Sequence, residues 1–298
     1  MRVAIFGATG QVGSSLVGEF AGDEVLALSS SDCDIADYEA VMNTMFGFGP
    51  DVILNPAAMT AVDQCETDPD RAFATNALGP RNLALAASAL DARLVHVSTD
   101  YVFDGQLGRA YDEWDEPAPL SVYGRSKRGG ELEILRLRPA GTIVRTGVVF
   151  SRQAPNFALA ILGAAEREGE LQVVGDQIGS PTYAPQLAAA LAAVARRAMP
   201  GVFHVAGTGA CSRADLAREL LAASGDDPER VCEVATETMH DKYPAPRPLY
   251  AALDGRAWRL AGFDPLPGWR DGVAALINDL AVAPDRAAVS GRKEREST

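Results

Sequence analysis

The strongest constraint on the fold is the alternation of short β-branched runs with longer segments rich in Ala and Leu. Strand patterns occur, in chain order, at residues 2–7, 24–29, 51–57, 93–98, 141–150, 171–176 and 201–207. Helix patterns lie between them at about residues 11–20, 37–47, 69–90, 121–137 and 155–168. Continuously apolar strands separated by helices are typical of a parallel sheet that is covered on both faces. The sequence therefore predicts an α/β fold with a Rossmann-type, doubly wound parallel sheet.

A glycine-rich stretch, "VAIFGATGQVGSSL", lies between the first strand and the first helix. It places Gly7, Gly10 and Gly13 in a G-x-x-G-x-x-G pattern. Glycine allows a tight turn and lets the backbone approach a pyrophosphate, which rests on the positive N-terminus of the helix. We therefore predict a dinucleotide site in this loop, to which Thr9, Gln11 and Val12 also contribute.

The end of the second strand bears on the choice of cofactor. An acidic residue there usually binds the ribose of NAD, and an Arg nearby accommodates the 2′-phosphate of NADP. This chain has "SSSDCDIAD" instead, with Ser29, Ser30 and Ser31 at that point. Three hydroxyl groups can donate to a 2′-phosphate without repelling it, which favours NADPH, while Asp32 keeps NADH open.

The alternation fades after about residue 150, where loops rich in Pro and Gly become frequent. We predict an NAD(P)-binding domain over residues 1–150 and a smaller C-terminal substrate-binding lobe, mainly over residues 151–281. Some segments of this lobe can return to the sheet. Residues 282–298 contain almost no large apolar side chain and are predicted to form a disordered tail.

Composition excludes several functions. The net charge of −13 over 298 residues argues against a basic face for nucleic acid. The four cysteines form no C-x-x-C pair and the chain shows no secretory signal, so we expect a cytoplasmic protein. No apolar run reaches the roughly 18 residues of a membrane span. His96 and His204 lie in strand patterns and are predicted to be packed core residues, so we expect no metal site.

Two further stretches contain candidate catalytic residues. "HVSTDYVFDG" places Ser98 and Thr99 at the end of the fourth strand, where ligands bind in doubly wound sheets. "SVYGRSK" then places Tyr123 and Lys127 four residues apart, on one face of a helix. A hydroxyl that hydrogen-bonds a carbonyl, a Tyr that transfers a proton and a Lys that lowers the Tyr pKa form a complete carbonyl-reducing set.

With these residues in place, the chain resembles the extended short-chain dehydrogenase/reductases and, more narrowly, the dTDP-4-dehydrorhamnose reductase family. The resemblance covers about residues 1–280. Matching stretches occur in the family's order: "FGATGQVG", "NPAAMTAVDQCETDP", "ATNALG", "STDYVFDG", "YGRSKRGGE", "NF", "GDQIGSPTYAPQLA" and "YPAPRP". Many short motifs in one order are specific, although any single one would not be.

The resemblance implies roles for individual residues. It assigns Thr99 to carbonyl polarisation, Tyr123 to proton donation, and Lys127 to the nicotinamide ribose and the Tyr pKa. It also implies further cofactor contacts at Asp34, Ile35, Asn55, Ala57, Ala58 and Asn76. We count Ser29, Ser98 and Tyr123 among the predicted cofactor-binding residues as well. The implied substrate contacts, besides Thr99, are Tyr101, Asn156 and Arg247. A guanidinium at Arg247 can hold a diphosphate by paired hydrogen bonds, but an ordinary surface Arg remains an alternative.

Other polar residues of these motifs have simpler interpretations. Asp100 and Asp104 can contact sugar hydroxyls or cap turns, and Glu131 is expected to form a helix salt bridge rather than act as an acid catalyst.

The chain also departs from the family pattern. Gly147, Val148, Val149 and Phe150 stand where the family usually has Ser-Trp-Val-Tyr, and Tyr250 and Ala251 replace a small polar pair. Loss of an aromatic wall should reshape the sugar pocket. A Glu that binds Mg²⁺ in some members corresponds to Ser15.

The resemblance implies NAD(P)H-dependent reduction of the C4 keto group of a dTDP-linked 6-deoxysugar, with dTDP-4-dehydro-L-rhamnose as the first candidate. Another deoxysugar 4-ketoreductase is the alternative. A regulatory subunit without turnover is disfavoured because Tyr123 and Lys127 are both present. A dehydratase is disfavoured because Tyr101, not Glu, follows Asp100, and an epimerase is opposed only by the overall motif match. Both a monomer and a homodimer remain open.

Overall fold

A central six-stranded sheet organises the chain, for which a computed structural model describes residues 1–138, 140–153 and 155–282. The strands are β1 (Arg2–Phe6), β2 (Glu24–Leu28), β3 (Val52–Asn55), β4 (Arg93–Thr99), β5 (Thr142–Thr146), β6 (Val149–Phe150), β7 (Leu171–Val174), β8 (Ile178–Gly179), β9 (Thr182–Tyr183), β10 (Gly201–His204), β11 (Cys211–Ser212) and β12 (Val231–Val234). The helices are α1 (Gln11–Glu19), α2 (Tyr38–Phe48), α3 (Val62–Thr67), α4 (Pro69–Phe73), α5 (Gly79–Ala89), α6 (Val122–Leu137), α7 (Phe157–Ala165), α8 (Ala184–Arg197), α9 (Arg213–Ser224), α10 (Arg256–Leu260) and α11 (Trp269–Val282). A π-helical turn (Ala74–Leu78) joins α4 to α5.

The six strands are all parallel and lie in the order β2-β1-β3-β4-β5-β10. The chain runs from β1 to β2 on one side and then crosses to β3 on the other side of β1. The strand order therefore reverses between β1 and β3, and the carboxyl ends of these strands diverge around a crevice. The predicted doubly wound parallel sheet is confirmed.

Helices cover both faces of the sheet. One apolar layer combines β1 and β3 with α1 and α8, and includes Leu16, Leu187 and Leu191. The opposite layer packs α2 and α5 on the sheet through Met45 and Leu83. Strands buried on both faces need continuous apolar runs, which explains why their sequence patterns are so clear.

The second lobe has its own apolar core. Helices α7, α9 and α11 pack together with β7 and β9 through residues such as Leu162, Leu220 and Val273. The sequence analysis predicted α7 but not α8, α9 or α11, so the helical content after residue 150 is higher than expected. The strand β10 and the helix α8 both belong to the central sheet layers, although they follow residue 150. The predicted tail, apart from Val282, lies outside the described residues.

Two predicted elements are interrupted. The strand expected over 141–150 breaks after Thr146, because Val148 has a φ of 47° and cannot continue a strand. The helix expected over 69–90 divides at the π-helical turn. Both interruptions lie at the carboxyl edge of the sheet, where a π-helical turn or a left-handed residue often marks a functional site.

Candidate active site

The glycine-rich loop lies at the crevice between β1 and β3. Gly7 has a φ of +71°, and a Cβ atom there would lie 2.8 Å from the Cα of Ala57, so this position accepts only glycine. A Cβ atom on Gly13 would lie 2.0 Å from the Gly7 carbonyl oxygen, so glycine lets α1 pack directly against the loop. Gly10 is the N-cap of α1, and its lack of a side chain leaves the first N–H groups without a side-chain cap. These features fit a pyrophosphate.

Helix α6 places the Tyr–Lys pair against β4. Ser121 caps the helix by accepting a 3.1 Å hydrogen bond from the Gly124 N–H. Tyr123 and Lys127 follow one turn apart, with only 9% and 2% of their surfaces exposed. A Cβ atom on Gly124 would lie 2.2 Å from the Tyr101 carbonyl oxygen, so glycine allows α6 to approach the segment after β4.

The amine of Lys127 is buried beside β4. Its Nζ donates a 2.7 Å hydrogen bond to the Val97 carbonyl and lies 3.3 Å from Nε2 of His96. Burial lowers the pKa of Lys127 to about 8, and the Glu131 carboxylate opposes that shift. His96 also lies 3.0 Å from the Asn55 amide nitrogen, and burial holds the pKa of His96 well below its ordinary value. His96 is thus a neutral, hydrogen-bonded core residue that contacts Lys127.

Burial raises the pKa of the Tyr123 phenol, and a hydrogen bond with the Thr99 hydroxyl opposes the shift. The expected lowering of this pKa by Lys127 is absent in this arrangement, because the Lys127 amine is directed at the Val97 carbonyl. Tyr123 is therefore protonated at neutral pH, which suits a proton donor.

Thr99 ends β4 and contacts an unusual carboxylate. Its Oγ1 donates a 2.9 Å hydrogen bond to Asp100 Oδ1 and accepts a 3.2 Å bond from the Tyr101 N–H. Asp100 is buried, and burial raises its pKa to about 6. A Cβ atom on Gly147 would lie 2.6 Å from Asp100 Oδ2, so the glycine leaves room for this carboxylate. Asp100 therefore accepts a hydrogen bond from the Thr99 hydroxyl, which the resemblance assigns to carbonyl polarisation.

Asp104 and Glu131 have structural roles. Asp104 accepts hydrogen bonds from the Tyr111 hydroxyl and the Gln106 N–H, at 2.7 and 3.0 Å. Glu131 is buried and forms two 2.8 Å hydrogen bonds with Arg145, which join α6 to β5. Glu131 is therefore a salt-bridge residue, as the sequence analysis expected.

A carboxylate lies beside the predicted ribose-binding hydroxyls. Asp32 Oδ2 accepts hydrogen bonds from the Ser29 hydroxyl and N–H, at 2.5 and 2.9 Å. The Ser29 and Ser31 hydroxyls are 2.8 Å apart, and the Ser29 contacts lower the pKa of Asp32. The turn after β2 thus folds Asp32 back onto Ser29, so a carboxylate lies beside the predicted hydroxyl groups.

Asn76 is buried in the π-helical turn, where its side chain has protein partners. Its carbonyl oxygen accepts a 2.8 Å hydrogen bond from the Met59 N–H, and its amide donates to the Met59 carbonyl and to Ser126 Oγ, both at 3.0 Å. Asn76 therefore joins the segment after β3 to α6.

Two other assigned residues contact the segment that follows β6. Asn156 caps α7 by accepting a 3.1 Å bond from the Leu159 N–H, and its amide donates to the Ser151 carbonyl. Gln11, in the glycine-rich loop, accepts a 3.0 Å bond from Ser151 Oγ. The cofactor loop and the start of the second lobe are thus hydrogen-bonded to each other.

The other predicted cofactor residues differ in exposure. Val12, Ile35 and Ser98 are buried, Ala57 and Ala58 are half-buried, and Thr9 and Asp34 are exposed.

Tyr101 and Arg247 are the other two predicted substrate contacts. The Tyr101 ring packs edge-on against Tyr123, with 5.6 Å between the ring centres. Arg247 donates 2.6 and 3.1 Å hydrogen bonds to Asp63 and also acts on the Tyr101 hydroxyl. Arg247 is therefore half-buried and ion-paired with Asp63.

Sequence reasoning missed Asp63 and Arg213, which also acts on the Tyr101 hydroxyl. Arg213 is the first residue of α9, a helix that was not predicted. A capping box formed by Ser212 and Asp215 marks the start of α9, and this spacing is the signal that could have identified it. Nothing local indicated Asp63, whose partner lies 184 residues away.

The described part of the chain shows neither a metal-binding cluster nor a membrane-spanning helix. Its His, Cys, Asp and Glu residues form no group of three or more that could hold a metal ion. None of its helices combines the length and the apolarity that a bilayer crossing needs.

A glycine-rich loop at the strand-order reversal, with a Tyr–Lys pair and a Thr beside it, defines a nicotinamide-dependent reductase of the short-chain dehydrogenase type. The family profile described as "RmlD substrate binding domain" matches residues 1–282. The chain belongs to the dTDP-4-dehydrorhamnose reductase family.

Named relatives agree with this placement. A dTDP-4-dehydrorhamnose reductase of Mycolicibacterium smegmatis is 42% identical, over 95% of this chain and 88% of the relative. A dTDP-4-keto-6-deoxy-D-glucose reductase of Streptomyces niveus is 36% identical, over 90% of this chain and 93% of the relative. A crystal structure of dTDP-4-dehydrorhamnose reductase from Bacillus anthracis, in complex with NADP, has a TM-score of 0.90 and 34% identity. The structural match covers 93% of this chain and 99% of the Bacillus anthracis chain.

Proposed function

We propose that the chain reduces the C4 keto group of dTDP-4-dehydro-L-rhamnose to give dTDP-L-rhamnose. The observation that carries the proposal is that the buried Tyr123 and Lys127 of α6 lie against β4, where Thr99 is the last residue, in the same sheet as the glycine-rich loop after β1. A carbonyl placed between the Thr99 and Tyr123 hydroxyls has a group to polarise its oxygen and a group to protonate it.

The cofactor and three side chains have separate roles in this reduction. The nicotinamide cofactor supplies the hydride when it is bound. Thr99 polarises the carbonyl oxygen, and Tyr123 gives its phenolic proton to that oxygen as negative charge develops. Burial raises the pKa of Tyr123, so the phenol carries its proton at neutral pH. Lys127, whose pKa of about 8 allows both charge states near neutral pH, binds the ribose.

For the reductant we propose both NADPH and NADH. The Ser30 and Ser31 hydroxyls suit a 2′-phosphate, which keeps NADPH slightly favoured. The Asp32 carboxylate beside Ser29 suits an unmodified ribose, which favours NADH. We propose a cytoplasmic enzyme, either monomeric or homodimeric.

A different 4-keto-6-deoxysugar is the second candidate substrate. The pocket wall at Gly147 and Val148 differs from the family pattern, and Val148 holds an unusual backbone conformation with a φ of 47°. The Streptomyces niveus relative is itself named for another 4-ketosugar, which supports this alternative.

The test is oxidation of NADPH and NADH, followed by absorbance, with dTDP-4-dehydro-L-rhamnose generated in the reaction. Tyr123→Phe should lower kcat by about 10²- to 10⁴-fold, the usual contribution of a general acid, and should lower the cofactor affinity far less. If the wild type binds cofactor tightly but does not turn this substrate over, rhamnose is rejected as the product. The other 4-ketosugars then become the substrates to assay.

A further inference from the structure

Two arginines approach Tyr101 from different parts of the chain. One is Arg247, on the Pro-rich loop, and the other is Arg213, at the start of α9. Strand β11, just before Arg213, pairs with β8 at Gly179, where a Cβ atom would lie 3.9 Å from Asp100 Oδ2, next to Tyr101 in the chain. Because the Tyr101 ring packs on Tyr123, both groups lie next to the proposed site of chemistry. Both arginines are therefore candidates to contact a substrate bound at Tyr123.

The two guanidinium groups differ in how their charge is balanced. Arg247 is neutralised by Asp63, which accepts two hydrogen bonds from it. Arg213 has no ion pair in the described part of the chain, and Asp215 of the same helix pairs with Arg218 instead, at 3.6 Å. The positive charge that is available to a ligand is therefore that of Arg213.

The surroundings of Arg213 favour an anionic ligand. The guanidinium lies 5.3 Å from the centre of the Phe157 ring, which restricts its orientation, and the side chain is half-buried. Asp100 is a carboxylate that acts on Arg213, but it already accepts the hydrogen bond from Thr99. In a chain with a net charge of −13, a dianionic ligand needs such a local positive group.

We infer that Arg213, together with the Tyr101 hydroxyl, binds the diphosphate of the nucleotide-sugar substrate, and that Arg247 chiefly holds the Pro-rich loop against α3. A planar guanidinium forms paired hydrogen bonds with phosphate oxygens, whereas Arg247 has already formed such a pair with Asp63. The inference rests on the proposed function, because that function supplies the diphosphate.

The experiment measures binding rather than turnover. Calorimetric titrations of the full chain use dTDP, and thymidine as a probe without phosphate. They compare the wild type with Arg213→Met, which keeps most of the apolar stem but removes the charge. Arg218→Met is the matched control, because Arg218 lies on the same helix and pairs with Glu233 at the surface.

We expect Arg213→Met to weaken dTDP binding by about 10- to 100-fold, the effect of losing a charged hydrogen bond. Thymidine and NADPH affinities should stay unchanged, as should dTDP binding to Arg218→Met. Arg213→Lys should recover part of the dTDP affinity. Unchanged NADPH affinity also shows that the variant is folded.

Two results would overturn the inference alone: dTDP binding as tight in Arg213→Met as in the wild type, or an equal loss for dTDP and thymidine. In either case turnover of the keto sugar by the wild type would leave the proposed function standing. A wild-type chain that binds no dTDP would reject both.

Discussion

Asp63 holds Arg247 through two hydrogen bonds, of 2.6 and 3.1 Å, and accepts a third, of 3.0 Å, from the Ala245 N–H. The contact joins α3, in the first half of the chain, to the Pro-rich loop that borders the substrate side of the site. It therefore couples the stability of that loop to the charge of one carboxylate.

A double-mutant cycle measures this coupling. Asp63→Asn and Arg247→Met should each lower the free energy of unfolding in urea, and the double variant should lose less than the sum. The expected interaction energy is about 1 kcal/mol, because the pair has good geometry but remains partly exposed. Additive effects would show that the two side chains do not stabilise each other.

Lys127 should make stability depend on pH in the alkaline range. Its pKa is about 8 in the folded protein and 10.5 in an ordinary lysine, so only the unfolded state holds the proton between these values. The free energy of unfolding should therefore rise between pH 8 and 10.5, by about 3 kcal/mol relative to Lys127→Met. Urea unfolding of both proteins across this range checks the prediction, and parallel curves would contradict it.

Asp100 should make the free energy of unfolding depend on pH in the acidic range. Its pKa is raised from 3.8 to about 6, so the folded state retains a proton that the unfolded state has lost in this window. The stability of the wild type relative to Asp100→Asn should therefore fall as the pH rises from about 4 to 6, by about 3 kcal/mol. Chemical denaturation at pH 4 and pH 7 measures this difference. An equal difference at both values would mean that Asp100 titrates normally.

The glycine-rich loop allows a matched pair of variants on α1. A Cβ atom on Gly13 would meet the Gly7 carbonyl oxygen at 2.0 Å, whereas nothing lies within 4 Å of a Cβ atom on Gly18. Gly13→Ala should weaken NADPH binding by at least about 100-fold because the loop must move. Gly18→Ala should leave binding unchanged and slightly stabilise the helix. Fluorescence titration of NADPH measures both, and equal affinities for the two variants would contradict the prediction.

Local sequence patterns predicted most strands of the sheet and both residues of the Tyr–Lys pair. Strands β1 and β4 are buried on both faces, so their apolar runs are unmistakable, and Tyr123 and Lys127 are four residues apart on one helix. The direction of the Tyr123 pKa shift could not be predicted, because it depends on the burial of the phenol and on where the Lys127 amine points. The orientation of the amine is set by the Val97 carbonyl on another element.

The missed features arise from long-range contacts. Val148 interrupts a predicted strand with a positive φ, which no residue pattern indicates for a β-branched side chain. Asp63 and Arg247 are paired across 184 residues, and Arg213 reaches Tyr101 from a different lobe. Helix α8 begins with a Pro in its first turn, a position that is compatible with a helix, although the Pro-rich surroundings concealed it.

The return of the chain to the sheet at β10 has a consequence for biosynthesis. Helix α8 and strand β10 complete the cofactor half, yet the ribosome makes them only after much of the segment that follows β5. A nascent chain that ends at residue 150 has its β5 edge unpaired and one face of its sheet incompletely covered. The six-stranded sheet is complete only after residue 204 has been made, so we expect cofactor binding to begin late in translation.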